Sequence, residues 1–177
     1  MNENGLVDSI AKVTQYLTFM LEDEVFALDI SQVREVLEYT KSTKVPRTPE
    51  YMIGVINLRG SVVPVVDMRN KFALSPMAIS VDTCIIILEI KIEGDEAVIG
   101  ALVDSVREVI ELAPDQMEPP PKIGSKLNTE YIKNMGKING EFIIILDVDR
   151  VFSIDELSTV NAITSAQSDE AKAVIEI

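Results

Sequence analysis

The sequence has no histidine and no tryptophan, a single cysteine, and little positive charge. Without histidine, the chain has no imidazole to serve as a general base, a metal ligand or the phosphorylated residue of a relay. Its one cysteine, Cys84, can form neither an internal disulfide nor a zinc site with several thiolates. The apolar run around Cys84 predicts a buried, unreactive thiol. These absences exclude many classes of enzyme.

Basic residues are scarce, since 16 Lys and Arg stand against 29 Asp and Glu and the net charge is -13. A surface this acidic repels nucleic-acid phosphates and anionic lipid head groups, so we expect no nucleic-acid partner. No apolar run reaches the roughly 18 residues of a membrane span. The first residues also lack the basic segment and long apolar stretch of a secretion signal. We expect a cytoplasmic protein without direct membrane insertion.

Motifs that bind cofactors or metals are missing too. The patterns GxxxxGK[ST] and GxGxxG do not occur, so nothing supports nucleotide binding. Asp147, Asp149 and Asp155 lack the glycine turn and bidentate glutamate of a calcium loop. Asp67 and Asp147 lack the small turn residues of aspartic proteases, and their places before short helices predict caps. We expect no enzyme activity, no cofactor and no metal.

Short apolar runs with period-two patterning, bounded by turn residues, predict a mostly β fold. Turn sequences between successive runs, above all Asn139-Gly140, predict antiparallel hairpins. Pro64 cannot donate to a ladder, so its strand is expected at an edge or with a bulge. The expected strands are Tyr16–Leu21, Val25–Leu28, Val33–Thr40, Ile53–Leu58, Val62–Asp67, Thr83–Ile92, Ala97–Val103, Val106–Leu112, Ile132–Ile138 and Phe142–Asp147.

Two further segments carry local signals. The proline-rich stretch 113–125 predicts a stiff, extended connector. Ser153 and Glu156 form a capping box ahead of apolar residues at helical spacing, which predicts a C-terminal helix.

The chain contains an internal repeat. "VREVL" at Val33 returns as "VREVI" at Val106, an offset of 73 residues, and later landmarks return at an offset of 80. The copies, about 25–72 and 97–152, are each too small to bury a face alone. We therefore expect two pseudo-symmetric five-stranded small barrels that share a core, with a short C-terminal helix. The landmarks at the longer offset are Tyr51, Gly60, Asp67 and Phe72, which match Tyr131, Gly140, Asp147 and Phe152.

Differences between the copies indicate functional residues. Arg59 stands opposite Asn139, at a turn where asparagine is locally more comfortable than arginine. Gly54 stands opposite Asn134, and a glycine inside a strand requires either a bulge or a close approach of another backbone.

Four segments resemble the CheW family of bacterial chemotaxis coupling proteins, in order and over about 15–157. They are "YLTFMLEDEVFALDISQVREVL", "VPRTPEYMIGVINLRGSVVPVVDMRNKF", "GALVDSVREVIEL" and "YIKNMGKINGEFIIILDVDRVF", of which "GVINLRGSVVPVVD" is the most specific. The resemblance implies a non-enzymatic adaptor that links transmembrane chemoreceptors to the histidine kinase CheA. It also implies a CheW-like domain over 15–157, after a flexible segment 1–14 and before a helical or flexible acidic tail 158–177.

The resemblance further implies the partners and the residues that meet them. The partners are the regulatory domain of CheA and the cytoplasmic tip of methyl-accepting chemoreceptors, which recruit the adaptor to membrane receptor arrays. Glu35 and Arg59 are expected to form an ion pair across neighbouring strands. The alternative function is a small-molecule-binding β-barrel, since two adjoining barrels can leave an apolar cleft. The implied binding residues are Val33, Glu35, Gly54, Asn57, Leu58, Arg59 and Gly60.

The missing ligands give a first prediction. We expect no thermal stabilisation of the purified protein by stoichiometric Zn²⁺, Mg²⁺ or Ca²⁺, and no hydrolysis of ATP, because histidine, a thiolate cluster and a phosphate loop are all absent. Differential scanning fluorimetry with and without each metal measures this, with a chelator-treated sample as the control. A rise of several degrees with one equivalent of metal would contradict the assignment of the aspartates as caps.

Overall fold

The structure is a computed structural model that describes residues 13–76, 78–92, 94–120 and 129–152. All ten expected strands are present, with ends within two residues of the prediction. The strands are β1 (Thr14–Leu21), β2 (Glu24–Asp29), β3 (Val33–Glu38), β4 (Met52–Leu58), β5 (Ser61–Asp67), β6 (Cys84–Ile92), β7 (Asp95–Val103), β8 (Ser105–Leu112), β9 (Met117–Glu118), β10 (Ile132–Ile138) and β11 (Glu141–Leu146). Two four-residue helices, α1 (Met68–Lys71) and α2 (Val148–Val151), follow β5 and β11.

The strands form two sheets that the internal repeat relates to each other. The six-stranded sheet has the order β8-β1-β2-β11-β10-β9, and the five-stranded sheet has the order β3-β6-β7-β5-β4. Exchanging each strand for its repeat partner converts one order into the other, apart from β9. This confirms the prediction of a mostly β fold with two pseudo-symmetric units. The helix expected after Ser153 lies outside the described residues.

Each sheet combines strands from both copies of the repeat. The five-stranded sheet joins β3, β4 and β5 to the hairpin β6–β7, and the six-stranded sheet joins β1 and β2 to later strands. The four expected hairpins are antiparallel. Where the copies meet, however, β5 pairs with β7 and β2 pairs with β11 in parallel. The turn signals that predicted antiparallel hairpins do not apply to these two contacts, because no hairpin connects the strands.

Pro64 shows how pairing between strands of the two copies changes the surroundings of a strand. Its strand, β5, lies between β7 and β4 and is not an edge strand. The ladder to β7 begins only at Val65, so Pro64 has a hydrogen-bonding neighbour on one side. The missing N–H therefore costs no ladder bond to β7. The expectation of an edge strand is wrong, and the register shift in the pairing of β5 with β4 lies opposite Val65 and Val66 and not at Pro64.

Three apolar clusters follow from the two sheets. The largest lies between the sheets and includes Phe19 and Phe26 from one sheet and Ile86 and Leu88 from the other. Two smaller clusters lie inside the individual sheets. The cluster of the six-stranded sheet contains Tyr16, Val25, Ala27, Leu112, Ile143 and Ile145. That of the five-stranded sheet contains Ile56, Val63, Val65, Ile85, Ile87 and Leu102.

Strand β1 shows why the central strands are apolar on both faces. Leu17 and Phe19 face the cluster between the sheets, while Tyr16 faces the interior of its own sheet. Thr18 is buried between them, at a register shift in the pairing of β1 with β8. Its hydroxyl donates to the Glu108 carbonyl at 2.6 Å and accepts from the Glu108 N–H at 3.1 Å. The threonine side chain thus replaces backbone bonds that the irregular register leaves unmade.

Three local predictions need correction. The Asp67 carboxylate caps α1 by accepting from the N–H of Arg69 at 3.0 Å, as expected, but Asp147 makes no such bond at α2. Asp147 instead pairs with the Arg150 side chain at 3.5 Å. The proline-rich segment is not purely a connector, because β9 within it pairs with β10. Cys84 is only partly buried, although burial does raise the pKa of its thiol.

Gly54 gives a prediction about stability. It is buried in β4 with φ +149°, and an added Cβ would press against the Thr43 carbonyl oxygen and lie 2.8 Å from its carbon. We expect Gly54→Ala to lower the free energy of unfolding by roughly 2 to 4 kcal/mol, because it adds backbone strain and overpacking. Chemical denaturation measures the change.

Gly140→Ala is the matched control, because Gly140 has φ +80° but no atom within 4 Å of an added Cβ. It should lose only the strain component, about 1 to 2 kcal/mol. Equal losses in the two variants would show that the Thr43 contact is not the constraint.

Candidate partner-binding surface

Arg59 lies at the tip of the β4–β5 hairpin. Arg59 and Gly60 both have positive φ, 52° and 86°, which is the geometry of a two-residue type I′ turn. The Asn57 side chain closes this turn by accepting from the Gly60 N–H at 2.8 Å. Asparagine and glycine fit such a turn best, and the repeat has Asn139 at the corresponding tip with φ 51°. The arginine is therefore held in a conformation that its residue type does not favour.

The guanidinium of Arg59 binds the carboxylate of Glu35 with two hydrogen bonds. Nη1 donates to Oε2 at 2.7 Å and Nη2 donates to Oε1 at 3.1 Å. These bonds raise the pKa of Arg59. The arginine side chain remains 72% exposed, whereas that of Glu35 is 20% exposed. The expected ion pair is thus present, with its cation facing solvent.

The ion pair spans the two ends of the five-stranded sheet. Glu35 is in β3 and Arg59 follows β4, and these are the first and last strands in the sheet order. The expectation of neighbouring strands is therefore wrong as regards hydrogen bonding. The ends meet because the sheet curls: after β3 the chain reaches β4, where Thr43 and Val55 exchange two backbone bonds of 2.8 Å. Gly54 lies beside this contact, so the close approach of a second backbone that its glycine requires is the closure of the barrel.

The six-stranded sheet closes at the corresponding place with different chemistry. Strand β9 follows β8 in sequence yet pairs with β10 at the far end of the sheet. An ion pair again spans the closure, between Arg107 in β8 and Glu141 in β11 at 3.5 Å. In the six-stranded sheet the arginine of the pair lies on the end strand, β8, whereas in the five-stranded sheet the arginine lies on the β4–β5 hairpin. The two closures thus have opposite polarity, which sequence comparison of the copies did not reveal.

Exposed valines flank both closures. Val36 and Val109 occupy equivalent positions in "VREVL" and "VREVI" and are 40% and 49% exposed. Sequence reasoning missed them, although the repeat and the period-two pattern place them on the face opposite Val33. They are exposed apolar residues on the end strands β3 and β8, and strand alternation places Val36 on the other face of β3 from Glu35.

The predicted residues separate into two groups. Val33 is partly buried against the cluster between the sheets, and Leu58 is partly buried against the cluster inside the five-stranded sheet. Gly54 is buried four residues before Leu58, near the closure and away from the hairpin tip. The structure therefore brings five of the seven together at the hairpin: Glu35, Asn57, Leu58, Arg59 and Gly60.

Comparison with known proteins identifies the architecture. The family model of the CheW-like domain matches residues 15–156. The chain belongs to the CheW-like family. Chemotaxis protein CheW of Klebsiella aerogenes is 32% identical over 152 residues, which cover 86% of this chain and 89% of that protein. CheW of Bacillus subtilis is 30% identical over 147 residues, covering 83% and 90%.

A solved CheW structure agrees with these sequence matches. The crystal structure of the scaffolding protein TtCheW from Thermoanaerobacter tengcongensis has a TM-score of 0.71 and 36% identity to this chain. The match covers 81% of this chain and 94% of that one. These matches confirm the resemblance found in the sequence, and the CheW-like family is one of chemotaxis scaffolds. Within the described ranges, no helix is long and apolar enough to cross a membrane.

The exposure of Arg59 gives a prediction about the fold of this CheW-like protein. We expect Arg59→Ala to change the melting temperature by less than about 4 °C, because exposed ion pairs contribute little to stability. Calorimetry measures the change, and circular dichroism checks that the fold is retained. Loss of cooperative unfolding in Arg59→Ala would contradict the assignment of this residue to a binding surface.

Proposed function

We propose that the chain is a chemotaxis adaptor that links transmembrane chemoreceptors to the regulatory domain of CheA. It acts in the cytoplasm, is recruited to receptor arrays through its partners, and supports receptor control of the kinase. Membership of the CheW-like family supports this proposal. The observation that carries the binding surface is the Arg59 guanidinium, which is oriented by Glu35 yet left mostly in solvent.

An adaptor needs two binding surfaces on one molecule, and the duplicated fold supplies two candidate surfaces. The closures at Arg59 and at Arg107 lie on different sheets, which share one apolar cluster. They have the same backbone plan, but the ion-pair polarity and the turn residues differ. Surfaces of related shape and different charge can select different partners, because specificity depends on the difference between two affinities.

The seven candidate residues contribute in two ways. Glu35, Asn57, Leu58, Arg59 and Gly60 form the contact surface at the hairpin. Arg59 provides directional hydrogen-bond donors, and Asn57 holds the turn that presents them. Val33 and Gly54 act indirectly, through the cluster between the sheets and through the closure of the five-stranded sheet.

A small-molecule barrel is less consistent with two hollows that the described residues line. The hollow lined by Tyr39, Ile53, Arg69 and neighbours holds about 200 Å³, and that lined by Gln32, Lys91, Asp149 and neighbours holds about 250 Å³. Sites for small molecules usually occupy about 300 to 1,000 Å³. No buried side-chain polar atom of the described residues lacks a hydrogen-bond partner, so none is left for a ligand to satisfy.

Arg59→Ala tests the adaptor proposal. We expect it to weaken coupling by roughly tenfold or more, because truncating a charge that a partner desolvates is costly. The assay measures kinase activity of CheA reconstituted with chemoreceptor cytoplasmic tips over a range of adaptor concentrations. Arg150→Ala is the control, since Arg150 is also exposed and ion-paired but lies on α2. Wild-type coupling by Arg59→Ala would reject the surface.

The exchange Glu35→Arg with Arg59→Glu separates direct contact from pairing. It should retain the fold and fail to restore coupling, because the guanidinium would then lie on β3 and not at the hairpin tip. Full coupling by this variant would show that only the pair matters. Binding of neither partner by the wild-type protein, together with stabilisation by a metabolite in a thermal-shift screen, would favour the small-molecule barrel.

A further inference from the structure

The chain crosses between the sheets at two junctions that the repeat relates. It passes from β2 to β3 through residues 30–32, and from β7 to β8 through Asp104. Helix α2 contributes Asp149 at the first crossing, and α1 contributes Arg69 at the second. We call these the α2 junction and the α1 junction. An offset of 73 residues relates the crossings, and an offset of 80 residues relates the helices.

The α1 junction is held by a nearly buried ion pair. Arg69 Nε donates to Asp104 Oδ1 at 2.7 Å, and Nη2 donates to Asp104 Oδ2. The two side chains are only 12% and 13% exposed, and the hydrogen bond to Asp104 raises the pKa of Arg69. Bidentate pairs of this kind are strong and directional, and losing one partner leaves an uncompensated charge.

The same ion pair connects further segments. Asp104 Oδ2 accepts from the Glu22 N–H at 2.8 Å, in the β1–β2 turn of the other sheet. Arg69 Nη1 donates to the Ser75 carbonyl at 2.8 Å, and the Ser75 N–H donates to the Glu22 carboxylate at 3.2 Å. The network therefore joins α1, the crossing at Asp104, the β1–β2 turn and the segment after α1 in a closed loop of bonds.

Helix α1 makes a second contact across the sheets. The Lys71 ammonium lies 4.6 Å from the ring centre of Tyr51 and 5.5 Å from that of Tyr131, which are equivalent residues of the two copies. The Phe72 ring stacks on Phe26 at 6.1 Å between ring centres and lies tilted against Tyr131 at 5.7 Å. Cation–π and ring contacts thus strengthen the α1 junction.

The α2 junction has a much weaker polar connection. Asp149 takes the place of Arg69, and Ser31 takes the place of Asp104, so the ion pair has no counterpart. Between this crossing and α2, the described residues provide one side-chain hydrogen bond, in which Gln32 Nε2 donates to Asp149 Oδ1 at 3.4 Å, and this bond is exposed. The Asp29 carboxylate bonds within the same crossing, where it accepts from the N–H and the hydroxyl of Ser31.

We infer that the two sheets move relative to each other about the α1 junction and separate at the α2 junction. Local opening begins where the fewest buried bonds must break. The two junctions have equivalent backbones, and both helices pack apolar side chains into the cluster between the sheets, so the junctions are distinguished by their polar side-chain bonds. The motion changes the angle between the two closures while each sheet keeps its own hydrogen bonds.

Amide hydrogen exchange of the full chain tests this inference. We expect the amides of residues 30–33 to exchange at least roughly tenfold faster than the equivalent amides of residues 103–106, which corresponds to about 1.4 kcal/mol. Equal protection at the two crossings, or faster exchange at 103–106, would overturn the inference.

A variant that installs the missing ion pair is the sharper test. Ser31→Asp with Asp149→Arg recreates the α1 pair at the α2 junction, and the hollow of about 250 Å³ beside Ser31 and Asp149 provides room for the longer side chain. We expect exchange at 30–33 to slow by roughly tenfold, with other segments unchanged. Asp149→Arg alone is the control and should not slow exchange there.

Uniform slowing throughout the chain in the double variant would show a general gain in stability and no hinge, and no slowing at 30–33 would also reject the inference. Arg69→Gln completes the comparison, because it should speed exchange at 103–106 without changing 30–33. If Arg69→Gln does not fold, the double variant still decides, since it adds a contact and removes two exposed bonds, from Gln32 to Asp149 and from the Ser31 hydroxyl to Asp29.

Discussion

The apolar cluster between the two sheets is the interaction on which the rest of the structure depends. Curling a sheet gives it a concave face, filled by residues such as Ile85 and Ile87, and a convex face, which carries Ile86 and Leu88. The convex face is as apolar as the concave one, so it must be covered by the other sheet. Neither sheet could remain folded alone with that surface in water.

The two sheets also depend on each other through the path of the chain, because each sheet contains strands from both copies of the repeat. Each sheet receives a hairpin, β1–β2 or β6–β7, whose partner strands come largely from the other part of the chain. The parallel pairs β2–β11 and β5–β7 are the places where the parts meet. A half-chain would therefore lack strands in both sheets, so the two copies must fold as one unit in spite of their symmetry.

Within this symmetric frame, the polar residues break the symmetry. The closures carry Glu35 with Arg59 in one sheet and Arg107 with Glu141 in the other. The junctions carry Arg69 with Asp104 on one side and, among the described residues, an exposed bond from Gln32 to Asp149 on the other. Such differences between polar residues change the free energy of folding little, because the backbone bonds and the apolar clusters already define the fold. They supply what an adaptor requires, which is unequal surfaces on one body.

The sequence by itself determined the ten main strands, the hairpin turns and the Asp67 cap, since these depend on residues close together in the chain. It also singled out Arg59 through its difference from Asn139. It could not show that Glu35 and Arg59 lie at opposite ends of a curled sheet, nor that β9 closes the other sheet. It likewise missed the loss of the cap at Asp147. Only the tertiary structure decided these features, because they arise from contacts between residues far apart in sequence, where local patterning carries no information on which surfaces meet.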